Sequence, residues 1–175
     1  EHYVRLVASG QLPLRPGVAR LISEARTSGL RLAIATTTTP ENVEALLRAA
    51  MAPDAMSWFE VIGAGDVVPA KKPAPDIYHW VLERLDLAPD ACLALEDSEN
   101  GLAASLGAGI PTLVTENAYT RGQNFTGALA VLPDLGAIKD FSVIEKLALG
   151  SILSGGSSDP KSGNHLSDWQ QLYLE

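Results

Sequence analysis

Short apolar runs that alternate with segments of helical period constrain this chain more than any other feature. Residues 30–35 (LRLAIA), 59–62 (FEVI), 91–95 (ACLAL) and 110–114 (IPTLV) are too short for amphipathic helices, and read as buried strands. Between them, Val18, Leu21, Ile22 and Ala25 recur at helical spacing until Ser28-Gly29, and a second helix opens at Glu41-Asn42 and runs to about Ala50. Ala74-Pro75 introduces a longer amphipathic helix with Ile77, Tyr78, Val81, Leu82 and Leu85 on one side, and residues 102–106 form another. Residues 129–132 and 141–149 read as one more strand and a last helix. Strands that alternate with helices join by right-handed crossovers, so the expected fold is α/β: a Rossmann-like, doubly wound parallel sheet with helices on both faces. Ligands of such sheets bind at the carboxyl ends of the strands.

The same pattern sets the domain boundaries. Residues 1–13 read as the end of a helix and a connector, 14–150 as the core domain, and 151–175, which open with the Gly/Ser-rich SILSGGSSDPKSGN, as a linker and C-terminal tail. With 46% hydrophobic and 19% charged residues, the chain can bury a core. Its net charge of −8 argues against nucleic acid or an anionic membrane as the main partner. It leaves room for a small phosphorylated substrate, because a bound cation and oriented amides reverse a field locally. The single cysteine, Cys92, excludes an intramolecular disulfide framework and suits a reducing compartment, so a cytoplasmic location is expected. No apolar stretch approaches the length of a membrane span, and the scattered His2, His79 and His165 have no zinc-site spacing.

Three polar stretches fall where the strands end. In LAIATTTTPEN, Thr36 to Thr39 follow a strand and precede a helix, so their hydroxyls and free amides can cradle an anion at the helix N-terminus. The plainer reading is an N-cap by Thr38 or Thr39 ahead of Pro40, and both can hold for different threonines. In AKKPAPDIY, the restriction that Pro73 places on the residue before it would hold Lys72 in place as a point charge, with Lys71 as a surface lysine. In LALEDSENG, the adjacent carboxylates of Glu96 and Asp97 can hold a hard cation such as Mg²⁺. Here the plainer reading is a helix start capped by Asp97 or Ser98, with Glu99 in the first turn.

In this order the three stretches resemble the haloacid dehalogenase-like hydrolases, specifically the subfamily of beta-phosphoglucomutase and the CbbY-type sugar-phosphate phosphatases. Thr36 in LAIATTTT matches the family's second motif, Lys72 in KKPAPDIY the third, and Glu96-Asp97 in LALEDSENGLAAS the fourth. PLRPGVARLI resembles the return into the core after the family's helical cap, and the likeness covers about residues 12 to 145. It implies that residues 1–13 end that cap and that a Mg²⁺-dependent phosphatase acts through a phosphoaspartate. The Thr36 hydroxyl and Thr37 amide would bind the phosphoryl group, and Thr38 would contact substrate. Lys72 would neutralise phosphate and nucleophile, and Asp97 would ligate Mg²⁺, with Glu96 beside it or acting through water. The implied substrate is a small phosphorylated sugar such as xylulose 1,5-bisphosphate. The alternatives are a phosphomutase of the beta-phosphoglucomutase type and a non-catalytic phosphate- or metal-binding fragment.

The chain departs from the family in one respect: no D-x-D-x-[TV] follows an apolar run anywhere in its 175 residues. The nucleophile, the acid/base aspartate, the first strand and most of the cap are therefore expected ahead of Glu1, and the chain as given is expected to be inactive alone. The resemblance places the absent strand at the centre of the sheet, between strands 30–35 and 91–95. A missing N-terminal segment or another chain is expected to fill that gap, since two exposed strand edges would leave unpaired amides.

Overall fold

The structure, a computed structural model, describes residues 14–139 and, as backbone, 171–174. The expected connector at 1–13, the expected last helix at 141–149 and residues 151–170 lie outside the described residues. The chain enters through helix α1 (Val18–Thr27), strand β1 (Arg31–Ala35), helix α2 (Pro40–Ala50) and strand β2 (Val61–Gly63). Helix α3 (Asp76–Leu85), strand β3 (Cys92–Glu96), helix α4 (Glu99–Gly107) and strand β4 (Thr112–Thr115) follow, then strands β5 (Ala130–Leu132) and β6 (Gln171–Leu174). Each helix and strand expected within 14–139 is present. β2 starts two residues late, because residues 55–58 form a 3₁₀ turn whose Met56 carbonyl accepts the Phe59 amide at 3.3 Å.

All strand pairs are parallel, in the order β2-β1-β6-β3-β4-β5. The Rossmann-like expectation holds, and so does the position of the gap; its occupant differs. Within the segment expected as linker and tail, residues 171–174 form the central strand. They pair with β1 (Leu32↔Leu172, Ile34↔Leu174) and with β3 (Leu93↔Leu172, Ala94↔Tyr173). In the described sheet this slot is filled by β6, and not by a segment ahead of Glu1 or by another chain. The physical reason is the one that made the gap costly: unpaired N–H and C=O groups on the inner edges of β1 and β3 find partners in an apolar run, QLYL.

The two faces of the sheet differ in side-chain size. Leu32, Ile34, Leu93 and Leu95 pack with α1 and α2 through Leu21, Ile22, Ala25, Val43 and Leu47. The alternate residues Ala33, Ala35, Cys92 and Ala94 are small, and they pack with α3 and α4 through Ile77, Tyr78, Val81, Leu85 and Ala104. The period-2 alternation of each strand thus separates two cores. Gly17, just before α1, has φ +84°, and a Cβ there would lie 2.3 Å from the Leu135 carbonyl carbon, so only glycine lets the chain enter the core at this point.

Candidate functional site

β1 delivers the threonines to the carboxyl edge. The Thr36 amide donates to the Gly63 carbonyl at 2.8 Å, which carries the β1–β2 ladder one residue past the strand. The Thr36 hydroxyl accepts the Thr38 amide at 3.2 Å. Thr39 is the N-cap of α2, with Pro40 in the first turn, and its hydroxyl accepts the Asn42 amide at 3.4 Å. The capping role therefore falls to Thr39, while Thr36, Thr37 and Thr38 remain at the strand end ahead of the positive helix terminus. Thr36 and Thr38 line a hollow with Leu14, Val18, Val43 and Met51, and Thr37 is exposed.

The two lysines separate as expected. Lys71 lies at the surface, pairs with Asp66 at 2.5 Å and donates to the Gly65 carbonyl. The hydrogen bond from Lys71, helped by its charge, lowers the Asp66 pKa below the usual carboxylate range. Lys72 is buried: its side chain is 5% exposed, and that of its partner Glu96 is 0% exposed. The Lys72 ammonium donates to Glu96 Oε1 at 2.8 Å and to the Ala35 carbonyl at 2.9 Å, so it bridges the ends of β3 and β1. The Tyr78 hydroxyl, from α3, donates to the same Glu96 oxygen. Glu96 is the last residue of β3, and its Oε2 is buried with no partner among the described residues.

Asp97 follows directly and lines a second hollow with Arg15, Val18, Glu96, Thr115 and Leu135. Its Oδ2 accepts Asn117 Nδ2 at 3.0 Å. Ser98 caps α4 by accepting the Gly101 amide at 3.1 Å, with Glu99 in the first turn, so Asp97 is not needed as the cap. Arg15 fixes the rim: it donates to the Thr115 carbonyl (2.8 Å) and hydroxyl (2.7 Å) and to the carbonyls of Glu116 (2.6 Å) and Pro133 (2.9 Å). No group of three or more His, Cys, Asp or Glu gathers among the described residues. Asp97 and the partnerless Glu96 Oε2 are hard oxygen donors, a set that fits Mg²⁺, which keeps several waters and accepts one or two carboxylates.

The structure thus brings Thr36, Lys72, Glu96 and Asp97 to one sheet edge, with Thr37 and Thr38 at its rim. A sequence model of the haloacid dehalogenase-like hydrolases matches residues 1–109. This chain belongs to the haloacid dehalogenase-like hydrolase family. It is 54% identical over 137 residues to Protein CbbY of Rhodobacter capsulatus, which covers 78% of this chain and 60% of that protein. The structure of CbbY from Rhodobacter sphaeroides in complex with phosphate superposes with a TM-score of 0.78 at 47% identity, over 81% of this chain and 63% of that one. A mutant of the same CbbY in complex with xylulose-(1,5)-bisphosphate gives a TM-score of 0.76 at 48% identity, over 79% and 62%. The chain spans about three-fifths of the length of these haloacid dehalogenase-like relatives.

Three residues of the site escaped sequence reading. Tyr78 reads as one more apolar position of α3; its signal is that a phenol hydroxyl on a buried helix face needs a partner. Asn117 and Arg15 sit in loops, and nothing local marks either as facing Asp97 or the β4 and β5 ends.

Proposed function

We propose that these residues form the phosphate- and Mg²⁺-binding half of a phosphatase acting on a small phosphorylated sugar, with xylulose 1,5-bisphosphate as the leading candidate. The observation that carries the reading is the convergence of Thr36, Lys72, Glu96 and Asp97 at one sheet edge in a chain so similar to CbbY. Thr36 and the Thr37 amide, ahead of α2, suit the oxygens of a phosphoryl group, and Thr38 suits the remainder of the substrate. Lys72, held by Glu96, would offset phosphoryl charge, and Asp97 with Glu96 would hold Mg²⁺. When bound, Mg²⁺ supplies further neutralisation of the equatorial oxygens. Phosphoryl transfer is mostly positioning and charge neutralisation, and this chain's residues serve both.

A second reading, binding without turnover, is favoured by β6. The central strand consists of Gln171, Leu172, Tyr173 and Leu174, which include no aspartate to act as nucleophile. Calorimetric titration of the chain with inorganic phosphate and a panel of sugar phosphates, with and without Mg²⁺, tests the binding site. Mg²⁺-strengthened binding is expected, and Asp97→Asn should weaken Mg²⁺ at least ten-fold, or ~1.4 kcal/mol. Binding of no phosphate compound would overturn both readings. Joining the chain behind the first strand and cap of a CbbY relative should yield Mg²⁺-dependent phosphate release, whereas Mg²⁺-dependent hydrolysis of p-nitrophenyl phosphate by the chain alone would refute the binding-only reading.

A further inference from the structure

Tyr78 is 1% exposed on a helix face otherwise made of Ile77, Val81, Leu82 and Leu85. A phenol hydroxyl in such surroundings is costly unless it donates to something. Its acceptor is the one oxygen of Glu96 that also takes Lys72. The Tyr78 ring also faces the ammonium, with Lys72 Nζ 5.1 Å from the ring centroid, within reach of the ring quadrupole. Tyr78 therefore touches Lys72 twice, once through its face and once through Glu96. A lysine has a flexible four-carbon stem, and only its partners give the ammonium a definite place. The Ala35 carbonyl holds it towards β1, and Glu96 holds it towards β3. The hydroxyl donated from α3 reaches that same Glu96 oxygen.

We infer that Tyr78 is a positioning residue for Lys72, acting through Glu96 Oε1 and through its own ring face. The geometric part is independent of function; its consequence for phosphate rests on the proposed site. Tyr78→Phe separates the two contacts, because it keeps the ring and removes the hydroxyl.

The test is ¹H–¹⁵N NMR of lysine ammonium groups, in which a buried, hydrogen-bonded Nζ is visible, assigned by its loss in Lys72→Arg. In Tyr78→Phe the Lys72 signal should shift or vanish, and the Kd for inorganic phosphate should rise five-fold or more, while the melting temperature shows the fold intact. A packing role alone would leave the Lys72 signal in place. An unchanged Lys72 signal with a phosphate Kd within two-fold of the unaltered chain would overturn the inference. If Tyr78→Phe does not fold, the unaltered chain decides: a nuclear Overhauser contact between the Tyr78 ring and the Lys72 ε-protons supports the inference, and its absence sinks it. If the Lys72 signal moves in Tyr78→Phe but phosphate affinity is indifferent to Lys72→Gln, the positioning role stands and the phosphate-site reading fails.

Discussion

Replacing Lys72 by Met tests the centre of the site most directly. Methionine has nearly the volume of the lysine stem, so little cavity forms and the change is mainly electrostatic. The substitution removes the cation from a carboxylate whose side chain is 0% exposed and whose Oε2 has no partner among the described residues. It also takes one donor from the Ala35 carbonyl, leaving Glu96 with the Tyr78 hydroxyl. Breaking a buried ion pair by deleting one partner costs about 3–5 kcal/mol, because the remaining charge stays desolvated. For a chain of this size that lowers the melting temperature by on the order of 10 °C. The assay is urea unfolding at neutral pH, followed by both circular dichroism and tryptophan fluorescence to check for a two-state transition. The double variant Lys72→Met/Glu96→Gln removes the charge as well and should recover about 2 kcal/mol of the loss. A single-variant cost below about 1 kcal/mol would show that water reaches the pair. Additive effects of the two substitutions would show that they are not coupled.

Further outcomes follow from other parts of the molecule. Leu172→Pro removes a ladder donor from the central strand and should cost about 3 kcal/mol or more, with increased aggregation; unchanged urea unfolding would argue against β6. Asn117→Ala removes a hydrogen bond to Asp97 and should change Mg²⁺ affinity in calorimetry by a few-fold without altering phosphate binding in the absence of metal. Glu60, hydrogen-bonded by Arg31 at 2.6 and 2.8 Å, has its pKa lowered from 4.5, first by that hydrogen bond and then by the Arg31 charge. A depressed carboxylate pKa stabilises the fold above the unfolded value and ceases to do so as pH falls through the folded one. Glu60→Gln should therefore cost under about 1 kcal/mol at pH 7, because the pair is exposed, and nothing once the pH has fallen through the lowered folded value. A cost independent of pH would contradict the pairing.

The local repeat of apolar residues determined which segments became β1, β3, β4, α1, α2 and α3, because strand and helix periods are read within a few neighbouring residues. The positions of Thr36, Lys72 and Asp97 were legible for the same reason: each sits where an apolar run stops or where a proline limits the backbone. The empty slot between β1 and β3 was also legible, since strand order follows from the family likeness. What fills that slot was not, because β6 is a short run of four residues beyond a polar, glycine-rich stretch and its register depends on two edges far away in sequence. Nor did any local pattern show that Glu96 shares one oxygen between Lys72 and Tyr78, or that Asn117 reaches Asp97. Those partnerships arise because buried polar groups must find donors and acceptors wherever packing places them, and only the assembled sheet and its two helical layers decide which groups meet.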